Sequence, residues 1–398
     1  MKHVELLSPA GDLTKLKIAI LFGADAVFCG GKQFSLRAKA NNFSLDDIKE
    51  AVKFATLHNA RVHITVNIVP EDDDFKNLDS YLLALNEAHV HAIIVSSIYI
   101  MKRAKELNCS FEVHVSTQQS IANYKAVSFF KETVKADRVV LARELNINEI
   151  EHIKEKSSLP LEVFIHGGMC SSFSGRCTLS NAMSSRDANK GGCAHSCRWI
   201  YHLYENDKLI EGSNFIIASS DLMSIDYIPS LLKANVDSFK IEGRMKSIHY
   251  VATIVSAYRR LIDEYYKNKA ISKARLNYYK NEIKKAENRI TSTGFLNERM
   301  VHQGLLLNTG VENPTQSFIG LILSPKDKDG YYLMEVRNYF EENDYVEAFT
   351  NKGKTISFHI KNMLDEDNNK VVIARHPKQI LRVKIKYNLP IDTLIRKK

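Results

Sequence analysis

Across the first 268 residues, short apolar and β-branched runs alternate with stretches whose apolar residues recur three and four positions apart. The runs are "ELLSP", "AVFCG", "RVHITVN", "AIIVS", "FEVHVS", "RVVL", "LEVFIH" and "SFKIE", eight in all. Between them, residues 45–59, 75–88, 120–132 and 147–156 carry the spacing of amphipathic helices. Eight successive βα units predict an α/β fold, a TIM-like (β/α)8 barrel, with functional groups on the loops at the C-terminal ends of the strands. A doubly wound open sheet is the competing arrangement and accounts less well for eight units.

After the seventh run the helical periodicity lapses over residues 167–224, and connections of that length in a compact domain are usually functional. Inside this insertion "WIYHLYENDKLIEGSNFIIAS" predicts a hairpin with its polar turn at "ENDK". The barrel is expected to occupy residues 1–270, and a charged helix near 272–290 with a Gly-, Asn- and Pro-containing connection fills 271–316. Residues 317–398 then offer "FIGLILS", "YYLMEVRN", "DYVEAFT", "TISFHIK" and "KVVIARH" at close spacing, the pattern of a small C-terminal β-barrel domain.

Composition narrows the picture. A chain of 398 residues, 44% hydrophobic, can bury a sizeable core in two or three domains. Its 55 Lys and Arg against 46 acids give a net charge of +9, which suits a polyanionic partner such as RNA and equally the composition of a lysine-rich genome. No apolar run approaches the roughly 18 residues that span a bilayer. Glu5 and Asp12 stand where a secretory signal needs an apolar region. A cytoplasmic location with no membrane partner is therefore expected.

Four of the six cysteines, Cys170, Cys177, Cys193 and Cys197, lie in the insertion as C-x6-C-x15-C-x3-C. Disulfides are disfavoured in the cytoplasm, so the group reads first as metal ligands. The spacing is wider than the paired knuckles of structural zinc sites. Four thiolates serve zinc or a four-iron four-sulfur (4Fe-4S) cluster, and the loose spacing favours the cluster, whose irons are separated in space. Arg176, Arg186, Lys190 and Arg198 stand around the cysteines, either offsetting their charge, binding an anion or simply solvated. Cys29 and Cys109 read as small buried apolar residues.

Other chemistry is sparse: there is no H-E-x-x-H, G-x-S-x-G, P-loop or G-x-G-x-x-G. Among polar residues at predicted strand ends, His166 and Glu242 are candidates for proton transfer, against the plainer reading of hydrogen-bonded core groups. Arg37, Arg143, Arg244 and Lys246 are candidates for binding carboxylates or an RNA phosphate, arginine offering two parallel donors. Ion pairs with Glu144 and Glu242 are the alternative. From Lys370 to Lys398 nine Lys or Arg face one acid, Asp392, and Arg382, Lys384 and Lys386 share one strand face. That face fits RNA phosphates, or the lysines that keep an edge strand from aggregating.

The stretch Glu162–Ser180, "EVFIHGGMCSSFSGRCTLS", closely resembles the signature of peptidase family U32, E-x-F-x2-G-(S/A)-(L/I/V/M)-C-x4-G-x-C-x-(L/I/V/M)-S. Glu162, Phe164, Gly167, Met169, Cys170, Gly175, Cys177, Leu179 and Ser180 fit; Gly168 departs, standing where the pattern has Ser or Ala. "LLSPAGD", "GADAVFCGG", "FSLRAKANNF", "STQQSIAN", "LAREL" and "VDSFKIEGRMKS" are also similar to family segments. The family name implies proteolysis, and some members are called collagenases. Others carry a four-cysteine iron-sulfur cluster and act in oxygen-independent hydroxylation of RNA bases or of the ubiquinone ring. With a barrel and a C-terminal β domain, the chain is most similar to members that convert the tRNA wobble uridine to 5-hydroxyuridine with prephenate. The resemblance thus implies a 4Fe-4S cluster on the four cysteines, prephenate as co-substrate bound by the basic candidates, and tRNA as partner, with a second chain of the same family a further candidate. A U32-type peptidase and a ubiquinone-type hydroxylation partner are the alternative functions.

Overall fold

The computed structural model describes residues 3–36, 42–286, 289–297, 305–306, 318–351, 353 and 355–398. Eight strands, β1 (Glu5–Pro9), β2 (Ala26–Gly30), β3 (Arg61–Val66), β4 (Ala92–Val95), β5 (Glu112–Val115), β6 (Arg138–Val140), β7 (Leu161–Gly167) and β8 (Ser238–Ile241), run parallel in chain order. β8 pairs with both β1 and β7, so the sheet closes. The expected barrel is what forms, and the open sheet is excluded. Helices outside and side chains inside bury both faces of each strand, which is why the strands read as near-continuous apolar runs.

Local chemistry sets the helix starts. Ser44 and Asp47 form a reciprocal capping box before Leu45–Leu57, and Asn146 with Glu149 does the same before Ile147–Lys156. Ser247 caps the long helix Ile248–Asn268 by accepting from the Tyr250 amide at 3.1 Å. The charged helix is shorter than its sequence suggests, Lys273–Lys284 behind the cap Ser272, and most of the connection up to 316 lies outside the described residues.

Within the insertion the predicted hairpin pairs Tyr204–Glu205 with Lys208–Leu209. Asn206 and Asp207 turn it at φ 49° and 62°, the left-handed pair that a two-residue hairpin turn needs and that Asn and Asp tolerate. Further on, Asp221–Met223 pairs antiparallel with the end of β7, bringing the insertion back onto the barrel.

The C-terminal domain is an eight-stranded antiparallel sheet with its own core, including Ile319, Met334, Phe340, Val346, Leu381 and Ile395. Its last strand, Leu394–Lys397, lies between Phe318–Ile322 and Tyr345–Phe349. From that strand the fully buried Arg396 meets Glu347 at 2.6 Å and Glu282, on the charged helix, at 3.5 Å. Phe349 packs on Phe22 of the barrel with ring centroids 5.3 Å apart, and Phe318 stacks on His249. Among the described residues no helix is long and apolar enough to cross a membrane.

Candidate active site at the barrel mouth

The signature segment begins inside the barrel and ends above it. Gly167 closes β7 at φ 101°, and a Cβ there would collide with the Glu242 carbonyl oxygen, so only glycine lets the ends of β7 and β8 approach. A Cβ on Gly168 would meet only Asp221, 3.9 Å away, so the Ser or Ala of the family pattern fits this position. The chain then turns at Phe173–Arg176, with Gly175 at φ 77° backed onto the Gln118 carbonyl and Ser120 donating to the Ser174 carbonyl at 2.8 Å. Ser180, at the start of the short helix Leu179–Ser184, accepts from the Ala194 amide at 3.1 Å and so ties the second cysteine pair to the first. Asn189 adds a bond to the Cys177 carbonyl at 3.2 Å.

Gly175→Ala should therefore strain the backbone as well as clash, at a cost of about 1–3 kcal/mol. The expected outcome is faster proteolytic nicking within residues 167–224, read by limited digestion under native conditions. Unchanged cleavage would mean that the turn relaxes freely.

Above the strand ends lies a cavity of about 390 Å³, and Cys170, Cys177, Cys193 and Cys197 all line it. All four are unpaired thiols. Burial pushes the Cys170 thiol up, with Arg143 opposing and Cys177 and Cys197 adding to the rise. Among the described residues no three His, Cys, Asp or Glu side chains converge on a single ion position. The donor set is instead four soft thiols facing one cavity, which fits a group that takes one ligand at each of four corners.

The cavity floor is made of cations and rings. Arg143 lies over Phe164 at 4.1 Å and donates to the Gly168 carbonyl at 3.3 Å. Among the described residues no carboxylate is within ion-pair distance of its guanidinium. Arg244 donates to the hydroxyls of Ser35 (3.0 Å) and Thr65 (3.2 Å) and to the Leu36 carbonyl. Gly30 is needed beneath it, since a Cβ there would strike Ser35 and the guanidinium. Lys240 sits 4.5 Å over Phe28 and is bonded at 2.7 Å to Glu162, which is fully buried in the barrel. Burial would raise the Glu162 carboxyl, but Lys240, Arg138 and His114 outweigh it and hold it at about 2. Glu162, the first residue of the signature, is thus the counter-charge that lets two cations stand inside a barrel.

The sequence candidates separate in space. Arg143, Arg244 and Glu242 line the cavity with the four cysteines. Lys246 does not; it lies over Tyr250 and 3.9 Å from Asp221. Arg37 lies outside the described residues. His166 is turned away: the β7–β8 register slips between Phe164 and His166, and the extra residue rotates the imidazole toward the helix Ile248–Asn268. There its Nδ1 is 3.3 Å from the Tyr258 hydroxyl, and burial, aided by Lys246, lowers its pKa to about 3. It is a core histidine, unsuited to exchange protons with a ligand in the cavity. Lys240 is the residue that sequence reasoning passed over. Its signal was parity, because Ser238, Lys240 and Glu242 alternate along β8 toward the barrel axis.

In the C-terminal sheet, Arg382 and Lys384 do share the outward face of Ile380–Lys384, and Lys386 continues it. Arg382 is held by Asp327 at 2.8 Å and lies 4.9 Å over Tyr331, with Lys384 5.3 Å over the same ring.

Residues 11–304 match the model of Peptidase family U32, and residues 314–396 that of the Peptidase family U32 C-terminal domain. The chain is 42% identical over 406 residues to tRNA hydroxylation protein P1 of Bacillus subtilis, covering 100% of this chain and 95% of that protein. It is 39% identical to an uncharacterized protease of Methanocaldococcus jannaschii, covering 74% and 73%. It is 37% identical to the 23S rRNA 5-hydroxycytidine C2501 synthase of Escherichia coli, covering 66% of this chain and 39% of that one.

Proposed function

The chain belongs to peptidase family U32, and we propose that it is a tRNA-modifying enzyme that hydroxylates the wobble uridine to 5-hydroxyuridine, with prephenate as co-substrate and a 4Fe-4S cluster on Cys170, Cys177, Cys193 and Cys197. The observation that carries this reading is the convergence of all four thiols on the cavity that also presents Arg143, Arg244 and Lys240. Two relatives named for RNA hydroxylation support it. When bound, the cluster would supply one-electron redox chemistry beside the substrate. The chain's own residues do the rest: Arg143 and Arg244 offer planar donors to carboxylates, Lys240 adds a fixed positive charge at the floor, and Phe28 and Phe164 give flat apolar walls for a ring. The basic face of Arg382, Lys384 and Lys386 is proposed to hold phosphates of the tRNA.

Two measurements test the proposal. Protein purified without oxygen should contain about four iron and four sulfide per chain; one zinc and no iron would refute the cofactor. Deleting the gene should remove 5-hydroxyuridine derivatives from tRNA nucleosides, and Cys170→Ala should fail to restore them. Unchanged nucleosides, together with peptide cleavage by the purified protein, would establish the peptidase instead.

A further inference from the structure

Phe173 is 47% exposed although it lines the cavity, and Met245, from the loop after β8, is 56% exposed and lines it too. Large apolar side chains held out at the rim of a cation-floored cavity lose hydrophobic stabilisation unless a ligand covers them. Phe173 is not on a loose tip. It opens the turn Phe173–Arg176, where the Arg176 amide donates to its carbonyl at 3.1 Å and Gly175 supplies the left-handed residue at φ 77°. Just after β5, Ser120 bonds that turn to the barrel and the Gln118 carbonyl backs onto Gly175. The family signature names the cysteines and Gly175 around it and leaves position 173 open.

We propose that Phe173 is a specificity-determining platform on which an unpaired nucleobase of the RNA stacks while the base to be modified occupies the cavity, Met245 packing on the same nucleotide. This inference rests on the RNA-modifying reading above. Stacking is how single-stranded nucleic acid is gripped beside basic side chains, and Arg186 and Arg143 line the same cavity for the phosphate and base oxygens. A peptide or aliphatic ligand would be served as well by leucine at position 173; a nucleobase would not.

The test uses the full chain and an anticodon stem-loop RNA carrying 2-aminopurine next to the wobble position. Wild-type protein should quench the fluorophore. Phe173→Ala should weaken binding roughly tenfold or more and abolish quenching, with an unchanged salt slope, because no phosphate contact is lost. Phe173→Trp should bind within about twofold of wild type, whereas Phe173→Leu should resemble Phe173→Ala. Equal affinity and quenching in Phe173→Ala, or wild-type behaviour in Phe173→Leu, overturns the platform while leaving the functional reading intact. Failure of the wild-type protein to bind the stem-loop, with tRNA nucleosides unchanged by gene deletion, refutes the reading and the platform together.

Discussion

Glu162→Gln is expected to lower the unfolding free energy by about 3–5 kcal/mol, the usual cost of breaking a buried ion pair from one side. The carboxylate has zero exposure and lies between Lys240 at 2.7 Å and Arg138 at 3.2 Å. Glutamine keeps the shape but not the charge. Arg138 retains Glu5, whereas Lys240, a residue only 4% exposed, loses the carboxylate that compensates its ammonium. The double variant Glu162→Gln/Lys240→Met should recover much of the loss, since it removes the stranded charge and leaves an apolar chain between Phe28 and Phe164. Urea unfolding of the three proteins reads both effects. A single variant within about 0.5 kcal/mol of wild type would mean that water reaches the pair and screens it.

Lowering the pH from 7 to 5 should destabilise the protein steeply. His63, His166 and His249 are each held well below the ordinary imidazole value, chiefly by burial, and neighbouring cations reinforce this. These imidazoles stay neutral in the fold and charge on unfolding near pH 6.5. The unfolded state therefore binds more protons below that pH, and stability falls as pH falls. Each such proton contributes about 1.4 kcal/mol per pH unit, so the limiting slope approaches about 4 kcal/mol per unit when all three take part. Glu162, held at about 2, adds a second loss below the ordinary carboxyl range, since its stabilisation exists only above the unfolded value and disappears as pH drops toward the folded one. Urea midpoints at pH 7, 6 and 5 check the sign and the steepness; a flat series would show that the interior imidazoles are hydrated.

The barrel was legible because each parallel strand is a local signal, a short apolar run, repeated in a strict order with helices whose caps are local too. The insertion was legible because that rhythm stops. The hairpin turn was readable from Asn206 and Asp207 alone. What the sequence concealed was pairing at a distance. Glu162 and Lys240 are 78 positions apart, and nothing near either one announces that they meet inside the barrel. His166 misled for a related reason: parity along β7 aims it at the axis, and only the register slip against β8, a property of two strands together, turns it away. The cysteines could be grouped from spacing, but their meeting with Arg143 and Arg244 over one cavity depends on strand closure.

The position of Leu394–Lys397 in the C-terminal sheet has a consequence for synthesis. The barrel can close once β8 has been made, whereas the sheet needs its final strand to join Phe318–Ile322 to Tyr345–Phe349. About 150 residues separate the two events, which at ~5–20 residues per second is roughly 8–30 s of translation. Until that strand arrives, Phe22 and His249 on the barrel and Glu282 on the charged helix, each exposed as it is made, await Phe349, Phe318 and Arg396. The nascent chain thus exposes an uncovered apolar and acidic seam, open to chaperones or to a neighbouring nascent chain, until the last strand slots in and covers it.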